Sequence, residues 1–175
     1  MSKFIFGVLS LVSFIVLSND AINTDYTLGI GDTIQVVVYD EPDLTVALTI
    51  ADDGEINFPF LGDVQVNGKT TRQVQSIITN GLKGDYLIKP SVQVSIVEYR
   101  PFYIHGEVKK PGAYAFQPGL NIDQAVALAG GFTERASEDK IFIKKDNGGE
   151  TVTRKVTLTQ SLSPGDTITI KQSFF

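Results

Sequence analysis

One histidine, His105, no cysteine and a scatter of carboxylates are what this 175-residue chain offers for chemistry. A Ser-His-Asp triad on a nucleophile elbow would need a GxSxG turn, and none surrounds any serine. His105 falls on an expected strand just ahead of Gly106, where a histidine with one satisfied partner is the plain reading. Asp52-Asp53-Gly54-Glu55 offers oxygen ligands, but it lacks the spaced series of an EF-hand and reads as a turn. Glu138 and Asp139 stand in a charged stretch that reads as a solvated loop. The phosphate-cradling GxxxxGK[ST] is absent, and Gly29-Ile30-Gly31 precedes a strand instead of a helix. The expectation is a protein that is not an enzyme and that carries no cofactor or metal.

Binding chemistry is the softer signal. Tyr99, Phe102 and Tyr103 surround Arg100 at an expected unit boundary. Aromatic faces stack on sugar C–H surfaces, and a guanidinium bonds hydroxyls or the carboxylates of acidic glycans. The same four residues can equally pack two units together or fill a subunit interface. Nucleic acid is not an expected partner. The net charge is −5, and the basic residues come as isolated pairs such as Lys109-Lys110 and Lys144-Lys145, whereas phosphate binding draws on clustered cations.

The elements that would hold these residues begin after a leader. Lys3 is followed by FIFGVLSLVSFIVL, residues 4–17, and then by the small polar stretch SNDA. A cationic start, a short apolar run and small residues describe a secretory signal peptide, assigned to residues 1–20. As a helix the apolar run would reach ~21 Å, short of a ~30 Å hydrocarbon core. Cleavage after Ser18 would remove only Lys3 and leave a charge of −6. The mature chain is expected to be soluble and to fold without disulfides. With no cysteine, lipid attachment at a new N-terminus is not expected.

Two units follow. In the first, Ile34, Val36 and Val38 alternate with polar or outward positions, as do Val46, Leu48 and Ile50, then Ile56 and Phe58, then Val64 and Val66; each reads as a half-buried strand. Val74, Ile77, Ile78 and Leu82 change the period to that of a helix, with Thr70 and Gln73 spaced as a capping box and Gly84 as its stop. Val92, Val94 and Ile96 form one more strand. Tyr99-Arg100-Pro101 breaks the pattern. In the second unit, a strand over Phe102 to Glu107, a Lys110-Pro111-Gly112 turn and a return arm over Ala113 to Gln117 make a hairpin. Asn121 caps a short helix whose stripe is Ile122, Ala125, Val126 and Ala129, ended by Gly130-Gly131. Strands over Lys140 to Lys145 and Thr151 to Leu158, a turn at Asp146 to Gly149 and a last strand complete an α+β chain, with β-grasp order in its second unit.

A phrase recurs. LGIGDTIQV, Leu28 to Val36, opens the first unit's first strand, and LSPGDTITI, Leu162 to Ile170, opens the last strand of the chain. In each, Gly31 or Gly165 frees a tight turn, Asp32 or Asp166 can bond turn amides, and Thr-Ile begins the alternation. The phrase reads as a structural, strand-opening device used once per unit.

The stretches YTLGIGDTIQVVVYDEPDL, IADDGEINFPFLGDVQVNGKTTRQVQSIITNGL and YLIKPSVQVSIVE resemble the polysaccharide export domain of Wza-like outer-membrane polysaccharide exporters. The matching positions are Gly31-Asp32, Asp53-Gly54, Ile56, Pro59, Gly62, Val64, Pro90, Val92 and Val94. IHGEVKKPGAYAF and NIDQAVALAGGFTERAS resemble the soluble ligand-binding β-grasp (SLBB) domain that usually accompanies it, through Gly106, Val108, Pro111-Gly112 and Ala129-Gly130-Gly131. The resemblance implies an export domain over residues 24–98 and an SLBB domain over 101–172. It further implies a ring-shaped homo-oligomer, often an octamer, in the periplasm of a Gram-negative bacterium. Such a ring encloses a path for capsular polysaccharide or exopolysaccharide and meets an inner-membrane polysaccharide co-polymerase. The motif residues carry over as scaffold. Longer relatives have a lipid-bearing N-terminal Cys and a C-terminal pore helix. This chain has no Cys and ends at KQSFF, so a short form that depends on a separate outer-membrane pore protein is expected. A stand-alone periplasmic carbohydrate-binding module is the alternative.

Overall fold

The computed structural model describes residues 26–146 and 151–173. The expected leader over residues 1–20 and most of the turn at Asp146 to Gly149 lie outside them. Strands β1 (Thr33–Val38) and β2 (Val46–Thr49) pair antiparallel, and β5 (Val92–Glu98) pairs antiparallel on the other side of β1. A separate hairpin is formed by β3 (Glu55–Phe58) and β4 (Gly62–Gln65), and helix α1 (Thr71–Leu82) runs between β4 and β5. Period-two alternation puts Ile34, Val36 and Val38 inside, where they meet Ile56, Phe58, Val74, Ile78 and Leu82 in one core.

The capping box on α1 is complete. Gln73 N donates to the Thr70 hydroxyl and Thr70 N donates to Gln73 Oε1, so two helix-end donors find partners. Ile77 departs from the expected stripe. At 100° per residue it lies about 100° from the centre line of Val74, Ile78 and Leu82, and it is 37% exposed. The Glu41-Pro42-Asp43 break is a short 3-10 turn over Pro42–Leu44 that buries Leu44.

The second sheet has five strands in the order β7-β6-β10-β8-β9. They are β6 (Phe102–Gly106), β7 (Gly112–Tyr114), β8 (Ala136–Asp146), β9 (Thr151–Val156) and β10 (Thr167–Gln172), with α2 (Ile122–Leu128) after β7. The first and last strands, β6 and β10, lie side by side in parallel at the middle, and every other pairing is antiparallel. That is β-grasp order. The stripe Ile122, Ala125, Val126 and Ala129 joins Phe102, Ile104, Ile141, Ile143, Ile168 and Ile170 in a second core. Asn121 and Gln124 close a second capping box.

Strand β8 begins four residues earlier than the expected Lys140. Ser137 to Lys140 has no apolar alternation, and the one pair of Ala136 with Gln172, across an irregularity in the register, carries the strand back to residue 136. Glu138 and Asp139 therefore belong to an exposed strand segment and not to a loop. Gly106, at the end of β6, lies against β10 so closely that a Cβ there would stand 2.0 Å from the Ile170 carbonyl oxygen.

Candidate functional site: a clasp at the unit boundary

Both strand-opening turns have one geometry. In the first, Asp32 N donates to the Gly29 carbonyl at 3.1 Å while Gly29 N donates to Asp32 Oδ2 at 2.8 Å. In the second, Asp166 N donates to the Ser163 carbonyl at 3.2 Å and Ser163 N donates to Asp166 Oδ2 at 2.8 Å. Gly31 and Gly165 take positive φ, 87° and 82°, as the residue before each Asp. Both carboxylates are buried, and each has a cation: Arg100 Nη1 at 3.0 Å from Asp32, and Lys145 Nζ at 3.5 Å from Asp166.

Asp32 is the more heavily bonded. Tyr26 donates its hydroxyl to Oδ2 at 2.6 Å, Arg100 N donates to Oδ1 at 2.8 Å, and Arg100 Nη1 donates to Oδ2 at 3.0 Å and to the Tyr26 oxygen at 2.9 Å. A carboxylate with four donors satisfies most of its lone pairs, which is the condition for burying the charge. Burial, then the bond to Asp32, pushes the Tyr26 phenol far above its ordinary value, so it stays a donor. Burial likewise raises Asp166 above the usual carboxylate range, against the pull of the Ser163 amide and Lys145.

Arg100 also touches the other turn. A Cβ on Gly29 would stand 2.0 Å from Arg100 Nη1, and one on Gly165 would stand 2.7 Å from Nε. The guanidinium thus lies against both turns, in room that only two glycines leave. Around it, Tyr99 packs edge-on against Tyr26 at 5.2 Å and against Phe116 at 5.5 Å, one ring from each unit. Gly165 N donates to the Pro101 carbonyl and Tyr103 N to the Asp166 carbonyl. Of the three uses open to the boundary residues, the contacts of Tyr99 and Arg100 are those of packing the two units.

Phe102 needs a correction. It is fully buried, because alternation along β6 turns Phe102 and Ile104 inward, where Phe102 stacks on Tyr114 at 5.8 Å; it has no surface for a glycan. Tyr103, between them, is 48% exposed. His105 is an exposed strand residue whose Nε2 lies 2.9 Å from the Thr169 hydroxyl. Asp53 accepts from Glu55 N at 3.0 Å and Gly54 O from Val66 N and Asn67 N, so that loop is turn chemistry. Pro59 and Gly62 bound the β3–β4 turn, Pro90 precedes β5, and Pro111-Gly112 opens β7. Gly130 and Gly131 close α2 with amides bonded to Ala127 and Val126.

Sequence reasoning missed an aromatic pair. Phe60 and Tyr86 lie 5.1 Å apart, 65% and 48% exposed, with the Tyr86 hydroxyl on the Phe60 carbonyl. Phe60 holds φ at +67°, unusual for a bulky residue. The FPFLG stretch was legible only as a strand end. Among the described residues, no group of three or more acidic, His or Cys side chains converges as a metal site, and no helix is long and apolar enough to cross a membrane.

Comparison with known proteins agrees with this two-part construction. The family described as polysaccharide biosynthesis/export protein matches residues 20–97, and the SLBB domain matches residues 101–155. The exopolysaccharide production protein ExoF of Rhizobium meliloti is 34% identical over 134 residues, covering 69% of this chain and 31% of ExoF. The EPS I polysaccharide export outer membrane protein EpsA of Ralstonia nicotianae is 26% identical, covering 85% of this chain and 48% of EpsA. The polysialic acid transport protein KpsD of Escherichia coli is 31% identical over 71% of this chain and 23% of its own length. The chain thus spans between about a quarter and a half of these relatives. With both models falling in tandem on the two units, the chain belongs to the polysaccharide biosynthesis/export family, as an export domain joined to an SLBB domain.

Proposed function

We propose that this protein is a non-catalytic component of a machinery that exports capsular polysaccharide or exopolysaccharide. The observation that carries the reading is the tandem match of export and SLBB domains onto two cores held together by the Asp32–Arg100 clasp. Relatives that share the greater part of this chain bear export, transport or production names for such polymers. In this reading the leader over residues 1–20 sends the protein to the periplasm of a Gram-negative bacterium. Copies assemble there as a ring around the path of the polymer. The ring meets an inner-membrane co-polymerase on one side and hands the polymer to a separate outer-membrane pore protein on the other. A boundary locked by a part-buried ion pair suits such a subunit, because a ring closes only if each copy presents its two domains at one fixed angle.

Deletion of the coding sequence tests the role. Surface polysaccharide is expected to disappear with polymer retained inside the cell, and the intact chain supplied in trans should restore it. Unchanged surface polymer in the deletion strain refutes the role. Mass in solution tests the ring separately, since a stand-alone carbohydrate-binding module would remain monomeric with its partners present.

A further inference from the structure

Between β7 and α2 the second domain has an open groove of about 540 Å³, inside the ~300–1,000 Å³ range of small-molecule sites. Its apolar surface comes from Leu120, the half-exposed Leu128 and the ring of Tyr114, whose other neighbour is Phe102 at 5.8 Å. Its polar groups are two carboxamides, Gln117 and Gln124. The Gln117 side chain has no protein partner. Gln124 spends Oε1 on the Asn121 amide at 3.0 Å, which leaves its NH2 unengaged. In a chain that is 20% charged, none of the residues lining the groove carries a charge.

We propose that this groove binds a neutral, polyhydroxylated stretch of glycan, so that the protein contacts the polymer through the β7–α2 face; this rests on the export reading above. Each feature selects that chemistry. Carboxamides both donate to and accept from hydroxyls, and Leu and Tyr surfaces take the C–H faces of a pyranose. A purely apolar partner would bury two amides without hydrogen bonds, which is unfavourable. An acidic sugar would bring carboxylates to a surface that has no cation to receive them.

The test uses the full chain in a 15N-labelled NMR titration with three neutral hexasaccharides: laminarihexaose, cellohexaose and isomaltohexaose. Hexagalacturonate serves as an acidic probe of equal length. At least one neutral hexamer is expected to shift amides within residues 114–128, and hexagalacturonate to bind at least ten-fold more weakly. Gln117→Ala, at an exposed position, should weaken the neutral hexamer about ten-fold. Gln124→Glu is the sharper variant. It keeps the acceptor that the capping box needs and favours the helix N-terminus, so the melting temperature should hold or rise while neutral-sugar binding falls at least ten-fold. The proposal is overturned if no neutral hexamer moves those amides, if the acidic hexamer binds as well, or if both variants bind as the parent does. Protein-concentration-dependent shifts of the same amides without sugar would assign the groove to a second copy and also overturn it. Should the deletion strain lose export while the groove stays empty, this inference alone fails and the export role stands.

Discussion

The clasp makes a quantitative prediction, because Gly29 and Arg100 compete for one volume. The three nearest neighbours of a Cβ on Gly29 are Arg100 atoms: Nη1 at 2.0 Å, Cζ at 2.5 Å and Nη2 at 3.1 Å. Gly29→Ala must therefore expel the guanidinium, and with it the bonds to Asp32 and to the Tyr26 oxygen. Arg100→Ala removes the same two bonds directly and leaves the Arg100 backbone amide on Asp32 Oδ1. A bond to a buried charge contributes ~1.5–3 kcal/mol. The Arg100 side chain is 26% exposed and three donors remain on Asp32, so each single substitution should cost about 2–3 kcal/mol, below the ~3–5 of a fully buried broken pair. At ~2–4 °C per kcal/mol for a domain of this size, the melting temperature falls by roughly 5–10 °C.

In the Arg100→Ala background the three atoms that obstruct the new methyl group are gone. Gly29→Ala should then be neutral, or stabilising by the ~0.4–1 kcal/mol that a lost unfolded-state glycine brings. Urea denaturation of the four proteins should therefore give a coupling of about 2–3 kcal/mol, far above the ~0.5 kcal/mol expected of independent sites. Gly31→Ala is the control. Its φ of +87° makes the cost intrinsic to the backbone, and its nearest neighbour is Arg100 Cβ at 3.5 Å, which alanine retains, so it should add to Arg100→Ala without coupling. If Gly29→Ala costs the same with and without Arg100, the steric account of the clasp is wrong.

Gly106→Ala should destabilise by about 3–5 kcal/mol in urea, since φ is +93° and the obstructing atom is the Ile170 carbonyl oxygen, which no rotamer change can move; a loss under ~1 kcal/mol would contradict it. Tyr26 sets an alkaline limit. Its folded value is raised, so the unfolded chain ionises first, and its contribution fades above pH ~10 at up to ~1.4 kcal/mol per pH unit. Tyr26→Phe should be less stable at neutral pH yet lose stability less steeply above pH 10, and an unchanged slope would rule the mechanism out. Asp166, also raised, stabilises below its unfolded value and less as pH climbs through its folded one. Asp166→Asn should accordingly gain on the parent between pH 4 and pH 7, read as denaturation midpoints; a widening deficit would reverse the assignment.

Much of the fold was legible because both periods are written plainly. The alternation of Ile34, Val36 and Val38 and the caps at Thr70 and Asn121 are local signals, and the structure keeps them. The first half of β8 was not, because Ser137 to Lys140 carries no alternation and lies at an irregularity of the register between Ile141, paired with Ile170, and Ala136, paired with Gln172, on a strand about 30 residues away in the chain. For the same reason Phe102 looked available: its type suits a binding surface, and only its place on the inner side of β6 decides otherwise. Arg100 was noticed but not its lodging, since the bond to Asp32 spans 68 residues and the contact with Gly165 another 65.

The recurring phrase is more than a turn written twice. Each turn opens a strand at an interior position of its sheet, β1 in one and β10 in the other. In each, the antiparallel neighbour brings the cation: β5 pairs Glu98 with Thr33 and places Arg100 just beyond, while β8 pairs Lys144 with Thr167 and places Lys145 next to it. Turn, buried carboxylate, strand and returning cation thus form one unit of construction, present once per domain. The difference lies in the cation. Lysine ends in a single point charge that serves its own Asp166, whereas the planar fork of Arg100 reaches Asp32 and Tyr26 while its stem lies along the turn at Gly165. Arg100→Lys should therefore preserve charge yet give up the bond to the Tyr26 oxygen, and a loss of stability close to that of Arg100→Ala would show that the fork, and not the charge, sustains the Asp32 cluster.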